Sequence, residues 1–293
     1  MGPVRGFEGE EKHDKSIVIM EFSVLMSVYW KEVPAFFRQS LKSVFAQTRR
    51  AAQVVLVEDG PLTPELDAVV KEYKERYPEL DVVPLTQNGG LGRALNEGLK
   101  HCRYDLVARM DADDISKPFR FERQVKYMEK HPEIDLISSW IEEFEGDKDN
   151  VTGMRKVPET PEEIYEYCKG RCPVNHPTVM YRKRAVLAVD GYLTKYFPED
   201  YFLWIRMLMN GSKFYNLQES LLYFRYSPET IRKRGGWKYA WGEVHIQKMI
   251  YELGFISLPL FIKNSVIRFV VRIMPQNLRA WFYKNCLRSG NSS

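Results

Sequence analysis

Three carboxylates stand within four positions of the segment DLVARMDADDISKPFRF, residues 105–121. A short apolar run ends there, and Asp111, Asp113 and Asp114 follow it directly. Carboxylates this close repel one another, and each resists burial unless a cation lies among them. Their oxygens are hard ligands that suit a divalent metal ion. The same residues would also occur in a solvated loop ahead of a helix that begins near Pro118, and the residues alone leave both interpretations open.

The first half of the chain carries the elements that would position these carboxylates. Apolar runs typical of buried parallel strands occupy 22–29, 53–60, 80–85 and 104–110. Apolar residues at helical spacing predict helices between them, from Pro34, from Pro64 to about Tyr77, and within 88–102. Strands that alternate with helices in this way predict a doubly wound α/β sheet.

Polar residues follow three of these strands at their carboxyl ends, where ligands bind in such sheets. The three ends read SVYW (27–30), EDG (58–60) and DADD (111–114), and a glycine-rich turn begins at Asn88. A solvated loop would explain any one of these features, but it explains all of them together less well. The pattern therefore favours a ligand site along one edge of the sheet.

The second half of the chain is less regular. Its pattern predicts a helix from Pro118 to about His131, a strand over 134–144 that ends in a hairpin, a strand, short helix and turn over 175–192, and a helix over 197–211 with an acidic start. Residues 255–275 interleave Lys263, Arg268 and Arg272 with bulky apolar residues, which is typical of an amphipathic helix.

Composition and charge set the outer limits. The chain has 293 residues, of which 44% are apolar, and this suffices for one large or two medium domains. The net charge is +4, but the segment from Arg225 onward holds twelve Lys and Arg against three Asp and Glu. That segment therefore carries +9 and the remainder −5. A basic tail of this kind indicates an anionic surface or ligand.

The sequence contains few signs of export or membrane insertion. Its four scattered cysteines fit a reducing cytosol better than a disulfide scaffold. Residues 1–19 have charges where a signal peptide has an apolar core, so we expect a dispensable leader or extension there and no secretion. No uninterrupted apolar run reaches transmembrane length.

Six motifs resemble those of family-two glycosyltransferases and occur in the order seen in that family. They are SVLMSVY, VEDG, NGGLGRALNEGL, MDADD followed by a proline, HPTVMYR and PEDYFLWIR. The resemblance covers about Phe22 to Arg225 and is greatest to bacterial polysaccharide-assembly members with the GT-A fold. It implies a Rossmann-like, mostly parallel α/β sheet flanked by helices. The catalytic domain would span 20–225, with a nucleotide-sugar half (22–115) and an acceptor half (116–225), followed by a C-terminal amphipathic helical extension over 226–293.

The resemblance implies that Asp111 and Asp113 form a D-x-D motif, which in the GT-A fold positions Mn²⁺ or Mg²⁺ against the two phosphates of a nucleotide sugar. Asp113 is then the direct metal ligand, and Asp111 contacts the ribose or a metal-bound water. Asp114 either serves the sugar hydroxyls or caps the following turn. On this interpretation the positive charge missing among the aspartates arrives with the metal.

The nucleotide contacts implied by the resemblance lie on neighbouring strand ends. Asp59 hydrogen-bonds the uracil ring of a UDP-sugar and Gly60 lets the backbone turn beneath it, unless Asp59 is a simple turn residue. Ser27 and Tyr29 line the same base pocket, although packing explains Tyr29 nearly as well. Arg93 either reaches the ribose or phosphates or is a solvated residue of a first helical turn.

The acceptor side is implied to begin at the PED motif. Asp200 is the general base of an inverting displacement, in which an acceptor hydroxyl attacks the anomeric carbon while the nucleoside diphosphate departs from the opposite face. Glu199 contacts the acceptor or only complements the helix dipole. Trp204 stacks on a sugar ring or belongs to the core. His176 matches a position near the diphosphate and acceptor, although a lone histidine is more often structural.

The basic C-terminal region has two implied roles. Arg225 and the TIRKR segment (230–234) lie where many relatives place a flexible basic lid over the nucleotide. The acceptor would be a glycan or a sugar linked through diphosphate to a polyprenyl lipid, and the region would contact the membrane, unless 255–274 packs on the catalytic domain. We therefore expect a cytoplasmic enzyme held peripherally at the inner face of the cell membrane. No recognisable nucleic-acid-binding module accompanies the basic residues.

The donor and the alternatives complete the interpretation. Galactose or glucose carried by UDP is favoured, and the N-acetyl forms stay open. The Q-x-x-R-W motif of processive members is absent from the sequence, which favours addition of a single sugar. A sugar nucleotidyltransferase usually has a glycine-rich loop where this chain reads SVYWKE. A non-catalytic nucleotide- or membrane-binding relative is the third possibility, and the presence of Asp59, Asp111, Asp113 and Asp200 speaks against it.

Overall fold

The computed structural model describes residues 20–193, 198–226 and 236–275. The strands are β1 (Phe22–Val28), β2 (Gln53–Glu58), β3 (Leu80–Pro84), β4 (Leu106–Met110), β5 (Ile115–Ser116), β6 (Leu136–Phe144), β7 (Val151–Arg155), β8 (Met180–Arg182) and β9 (Phe214–Arg225). The helices are α1 (Pro34–Phe45), α2 (Pro64–Arg76), α3 (Leu91–His101), α4 (Arg120–Lys130), α5 (Pro161–Cys168), α6 (Lys183–Leu187), α7 (Glu199–Met209), α8 (Trp237–Glu252) and α9 (Leu258–Ile273), with one 3₁₀ turn at His176–Thr178.

The described strands form one nine-stranded sheet in the order β3-β2-β1-β4-β8-β6-β9-β5, and β7 extends β6 as a hairpin. The pairs β2–β3, β1–β2, β1–β4 and β6–β9 are parallel, and β8, β5 and β7 run against their neighbours. Six of the nine strands therefore share one direction. The predicted mostly parallel α/β sheet flanked by helices is confirmed.

Helices cover the sheet on both faces because its strands are apolar on both sides. On one face Leu25 and Val57 pack with α3 and α7, and on the other Val24 and Leu56 pack with α1, α2 and α4. Gly98 allows α3 to approach the sheet closely, since a Cβ there would collide with the side chain of Leu25. This packing fixes the start of α3 against the carboxyl ends of β1 and β2.

The largest difference from the sequence-based expectation is β9. Its twelve residues, FYNLQESLLYFR, mix polar and apolar types without a clean alternation, and the pattern did not predict a strand there. β9 pairs with β6 over its whole length and with β5 at its end, so tertiary pairing overrides a weak local signal. The strand carries the chain back to the aspartates that follow β4.

The C-terminal helices α8 and α9 form an antiparallel hairpin. Glu243 of α8 is buried and accepts hydrogen bonds from Arg268 and Arg272 of α9. The predicted amphipathic helical extension is therefore confirmed, but the interleaved arginines point inward rather than toward a membrane surface. Among the described helices, none is long and apolar enough to cross a membrane.

Candidate active site

Residues from the ends of β1 and β4 and from the start of α7 meet on one edge of the sheet. Tyr29 follows β1, and Asp113 is close enough to raise the pKa of its phenol, after the effects of burial and Glu32. Asp111 likewise lies close enough to raise the pKa of Glu199, although burial is the main cause there. The predicted convergence of strand ends thus extends to a helix that begins almost a hundred residues later in the chain.

Arg109, on β4, lies at the centre of this group. A charged residue inside an apolar strand is unusual, and its side chain is fully buried and forms an ion pair with Asp111 two residues later. Residues two apart on a strand point to the same face, which brings the guanidinium under the carboxylate. The charge of Arg109 also acts to lower the pKa of His176 and of Asp200. One buried cation therefore influences the residues after β4 as well as those near the start of α7.

Arg120, at the start of α4, is a second buried arginine beside the aspartates. Its guanidinium donates to the carbonyl of Arg109 at 2.7 Å and to Oε1 of Gln124 at 3.0 Å. Burial, and then repulsion from Arg109, lowers the pKa of Arg120 to about 9. The fold itself therefore supplies part of the positive charge beside the aspartates, while the arrival of a metal there stays a prediction.

The two aspartates of the D-x-D motif remain accessible at the surface of the site. The Asp111 side chain is 28% exposed, and its backbone oxygen accepts a hydrogen bond from Ser40 at 2.7 Å. Burial and the charge of Asp111 raise the pKa of Asp113 to about 6, so the neighbouring arginines do not fully offset the negative charge. A divalent cation would fit this deficit.

The described residues contain no group of three or more His, Cys, Asp and Glu arranged to hold a metal ion. Two carboxylates give fewer ligands than Mg²⁺ or Mn²⁺ requires, and phosphate oxygens and water commonly complete such shells. Asp111 and Asp113 therefore fit a metal that is shared with a ligand.

Asp114 has a different role from the two predicted alternatives. Its side chain is fully buried, and Oδ1 accepts a hydrogen bond from the backbone N–H of Arg225 at 2.8 Å. Burial raises the pKa of Asp114 well above its usual value, with Asp113 and Asp111 as further causes. A carboxyl enclosed in this way cannot contact a sugar, so the prediction of sugar binding is corrected: Asp114 joins β4 to β9.

Arg225 is fixed in the structure as the last residue of β9. Its Nε donates to the carbonyl of Asp113 at 2.8 Å, and one Nη donates to Oε1 of Gln39 at 2.7 Å. The guanidinium also lies over the rings of Phe36 and Phe144. The prediction that Arg225 belongs to a flexible lid is therefore wrong. The TIRKR segment, 230–234, lies outside the described residues.

The end of β2 organises the glycine-rich turn. The buried Asp59 carboxylate accepts hydrogen bonds from the backbone N–H groups of Gly89 and Gly90 at 2.7 and 2.9 Å. Gly60 has φ of +85°, and a Cβ there would lie 2.5 Å from the backbone nitrogen of Asn88. The glycine is thus required both by its conformation and by the close approach of the turn.

The remaining predicted nucleotide residues lie on the same edge. Arg93 is exposed, and its side chain passes over Gly89, where a Cβ would block it. Ser27 is half-buried near the end of β1, and Tyr29 is half-buried just beyond. Their contacts with uracil, ribose or phosphate stay predictions.

The residues predicted to lie on the acceptor side include a carboxylate and a neutral imidazole. Nδ1 of His176 lies 3.9 Å from Oδ2 of Asp200, and Nε2 lies 3.1 Å from the hydroxyl oxygen of Tyr192. Burial and the charge of Arg109 lower the pKa of His176 well below its usual value. Burial raises the pKa of Asp200, while Arg109 and Arg155 oppose that rise. A raised pKa makes a carboxylate a better proton acceptor, provided that it stays ionised.

Trp204 lies one turn beyond Asp200 and packs in the core against His176. Its indole is fully buried and meets the rings of His176, Tyr192 and Phe214 edge-on. A buried ring cannot stack on an acceptor sugar, so that alternative is wrong and the core alternative agrees with the burial. The indole instead supports His176 from below.

The family model for glycosyl transferase family 2 matches residues 23–189, which is more than half of the chain. The chain belongs to glycosyltransferase family 2. An Escherichia coli UDP-Gal:alpha-D-GlcNAc-diphosphoundecaprenol beta-1,3-galactosyltransferase is 40% identical over 92% of this chain and 97% of its own length. The amylovoran biosynthesis glycosyltransferase AmsE of Erwinia amylovora is 38% identical over 90% of this chain and 98% of its own.

Solved structures show the same fold at lower identity. S. aureus TarS 1-349 in complex with UDP-GlcNAc aligns with a TM-score of 0.60 and 20% identity, over 79% of this chain and 66% of that chain. The Pyrobaculum calidifontis mannosyltransferase PcManGT in complex with GDP-Man and Mn²⁺ aligns with a TM-score of 0.59 and 15% identity, over 94% and 77%. The predicted GT-A fold is confirmed.

Sequence reasoning missed two functional candidates of this glycosyltransferase. Glu32 follows β1, and burial together with Asp113 and Asp111 raises its pKa to about 7, so it is a third carboxyl facing the D-x-D pair. The sequence indicates Glu32 only as an acidic residue that lies beyond the end of a strand. Arg109 had a clearer signal, namely a charge within the apolar run of β4.

We expect Arg109→Met to destabilise the folded glycosyltransferase by about 3 kcal/mol, because it leaves buried carboxylates without their cation. Losing that cation raises the folded-state pKa of Asp113 and Asp114 further, and a raised carboxyl pKa costs stability as pH rises. The deficit should therefore be larger at pH 8 than at pH 5. Urea unfolding in chelator at both pH values measures it, with Arg109→Lys as the charge-retaining control; an equal deficit at both pH values would contradict this account.

Proposed function

We propose that this glycosyltransferase transfers one hexose from a UDP-sugar to a sugar joined through diphosphate to a polyprenyl lipid, with inversion at the anomeric carbon. The arrangement that carries the proposal is the grouping of Asp111 and Asp113 on one side of Arg109 and Asp200 on the other. The activity for which the Escherichia coli relative is named, at 40% identity over nearly its full length, supports the donor and acceptor classes. Assembly of a bacterial surface polysaccharide is supported by the likeness to AmsE.

Asp200 acts as the general base of this reaction. Its carboxylate takes the proton of the acceptor hydroxyl as that oxygen bonds to the anomeric carbon, and the bond from that carbon to UDP breaks on the opposite face. The Arg109 cation favours the ionised form of Asp200, whereas burial favours the protonated form. The carboxylate can therefore be ionised before proton transfer and hold the proton afterwards. His176 lies beside it as a neutral group and so leaves the charge of the carboxylate in place.

Asp113 and Asp111 would hold Mn²⁺ or Mg²⁺ when the donor is bound. The metal would supply positive charge that stabilises the departing diphosphate. Arg225 stays beside Asp113 as a fixed cation. Asp59 and the turn at Gly89 and Gly90 bound the nucleotide pocket, and galactose or glucose is the favoured donor sugar.

The proposal includes a peripheral contact of the α8–α9 hairpin with the cytoplasmic face of the membrane, where a lipid-linked acceptor would be presented. Trp237 and Trp241 are 66% and 60% exposed, one helical turn apart on α8. The outer face of α9 adds a stripe of exposed apolar residues: Leu258, Ile262, Val266, Val270 and Ile273. Amphipathic helices with aromatic residues beside an apolar stripe lie in the interfacial layer of bilayers.

The base assignment is tested with Asp200→Asn, which retains the shape of the side chain. We expect transfer to fall about 100-fold or more while UDP binding is unchanged, because the amide cannot accept the proton. Glu199→Gln is the matched control, since it removes a neighbouring charge on the same helical turn and should cost less than about tenfold. Full transfer by Asp200→Asn, or equal losses in both variants, would contradict the assignment.

The metal assignment is tested by UDP binding in Mn²⁺, in Mg²⁺ and in chelator, measured by calorimetry. We expect tighter binding with metal for the parent enzyme and no such difference for Asp113→Ala, since a principal ligand is lost. Asp67→Ala, in the first turn of α2, is the control and should keep the metal response. If chelator leaves the parent affinity unchanged, the D-x-D pair does not hold a metal in this enzyme.

The membrane assignment is tested by sedimentation with vesicles that contain phosphatidylglycerol. Replacing Trp237 and Trp241 by Ser should weaken vesicle binding by about tenfold or more, because two indoles no longer enter the interface. Leu187→Ser is the control, since Leu187 is equally exposed but lies on α6. Unchanged vesicle binding by the double variant would contradict the membrane assignment. If the parent enzyme is a dimer and the double variant is a monomer, the exposed face of the hairpin instead binds a second copy of the chain.

A further inference from the structure

One short loop separates the proposed base from the membrane-facing hairpin. Residues 169–172 follow α5, and at one end Cys172 lies close enough to Asp200 for the two to interact electrostatically. At the other end, Nδ2 of Asn264 donates to the carbonyl of Lys169 at 2.9 Å, and Arg268 donates to the carbonyl of Gly170 at 2.7 Å. The loop therefore connects the acceptor side of the site directly to α9.

Two exposed arginines lie along this loop. Nη2 of Arg155, at the end of β7, donates to the carbonyl of Cys172 at 3.1 Å, and the Arg155 charge reaches Asp200. Arg171 belongs to the loop itself, and its guanidinium lies 5.9 Å from the ring centre of Tyr167. Within the described part of the chain, neither guanidinium forms an ion pair with a carboxylate, whereas Lys169 pairs with Glu166.

We propose that Arg155 and Arg171 bind the diphosphate of the acceptor. This proposal rests on the proposed function, because it assumes a sugar carried on a lipid diphosphate. Guanidinium groups suit such a ligand, since their planar N–H groups match phosphate oxygens and carry charge. The hydrogen bond to the Cys172 carbonyl uses one nitrogen of the Arg155 guanidinium, Nη2. The other nitrogens of that guanidinium stay available to a phosphate.

The order of groups along the protein matches the order of groups in such an acceptor. The sugar hydroxyl meets Asp200, the diphosphate meets the arginines beside the 169–172 loop, and the lipid continues toward α9 and the bilayer. The negative charge of Asp200 would repel a diphosphate, whereas the arginines would attract it. Together these charges favour the orientation in which the sugar, not the diphosphate, faces Asp200.

A pair of acceptors that differ only in the diphosphate tests this site. One is α-N-acetylglucosaminyl diphosphate with a short alkyl chain, and the other is the α-N-acetylglucosaminide with the same chain and no phosphate. For Arg155→Ser and Arg171→Ser we expect KM for the first acceptor to rise about tenfold each, because each variant loses charge-assisted hydrogen bonds. KM for the phosphate-free acceptor and for the donor should stay within about twofold.

The controls separate this proposal from its premise. Arg76→Ser removes an exposed arginine from the last turn of α2, at the opposite end of the sheet, and should change neither KM. Arg155→Lys should recover part of the lost affinity. If both acceptors weaken equally, or the diphosphate acceptor is unaffected, the arginine site is wrong. If the parent enzyme transfers no sugar to the diphosphate acceptor, the proposed function is wrong. That result comes from the parent enzyme alone and is therefore distinct from a failure of the arginine site.

Discussion

The ion pair between Arg109 and Asp111 is the contact on which the rest of the site depends. A strand that ends in three aspartates can be buried only if positive charge is buried with it. Arg109 provides that charge within the same strand, and Arg120 provides more from the first turn of α4. Because the charge of Arg109 also acts on His176 and Asp200, the residue that permits burial of the aspartates also influences the protonation of those two groups.

This arrangement gives three neighbouring aspartates three different properties. Asp111 keeps its own cation and part of its surface, whereas Asp113 lies between that pair and Arg225 and has a pKa of about 6. Asp114 is enclosed, and burial drives its pKa well upward while a backbone N–H holds one of its oxygens. Only the first two can meet a soluble cation and a nucleotide. The third uses its carboxyl to bring β9, and with it Arg225, against the motif.

The sequence predicted the donor half well and the acceptor half less well, for a physical reason. Parallel strands in an alternating α/β unit are buried on both faces, so 22–110 has strong local signals, and its carboxyl ends necessarily share one edge. β9 and the 3₁₀ turn at His176 depend on pairing partners far away in the chain, so their local signals are weak. Two side-chain roles failed where burial decides them, because Trp204 and Asp114 have suitable chemistry but are enclosed by their neighbours. Arg225 differs from the expectation for another reason, since hydrogen bonds at the end of β9 hold its side chain in place.

The C-terminal hairpin uses part of the basic charge of its region in internal packing. Glu243 draws Arg268 and Arg272 into the contact between α8 and α9, so two of the basic residues hold the hairpin together. Exposed apolar residues and Lys263 remain on the outside of α9. The same Arg268 reaches the carbonyl of Gly170, which fixes the hairpin to the loop beside Asp200. If the proposed membrane contact and the proposed base are correct, these contacts would present a membrane-bound substrate at a defined distance from Asp200. The inward-facing arginines would then serve the proposed reaction by fixing the hairpin rather than by attracting lipid head groups.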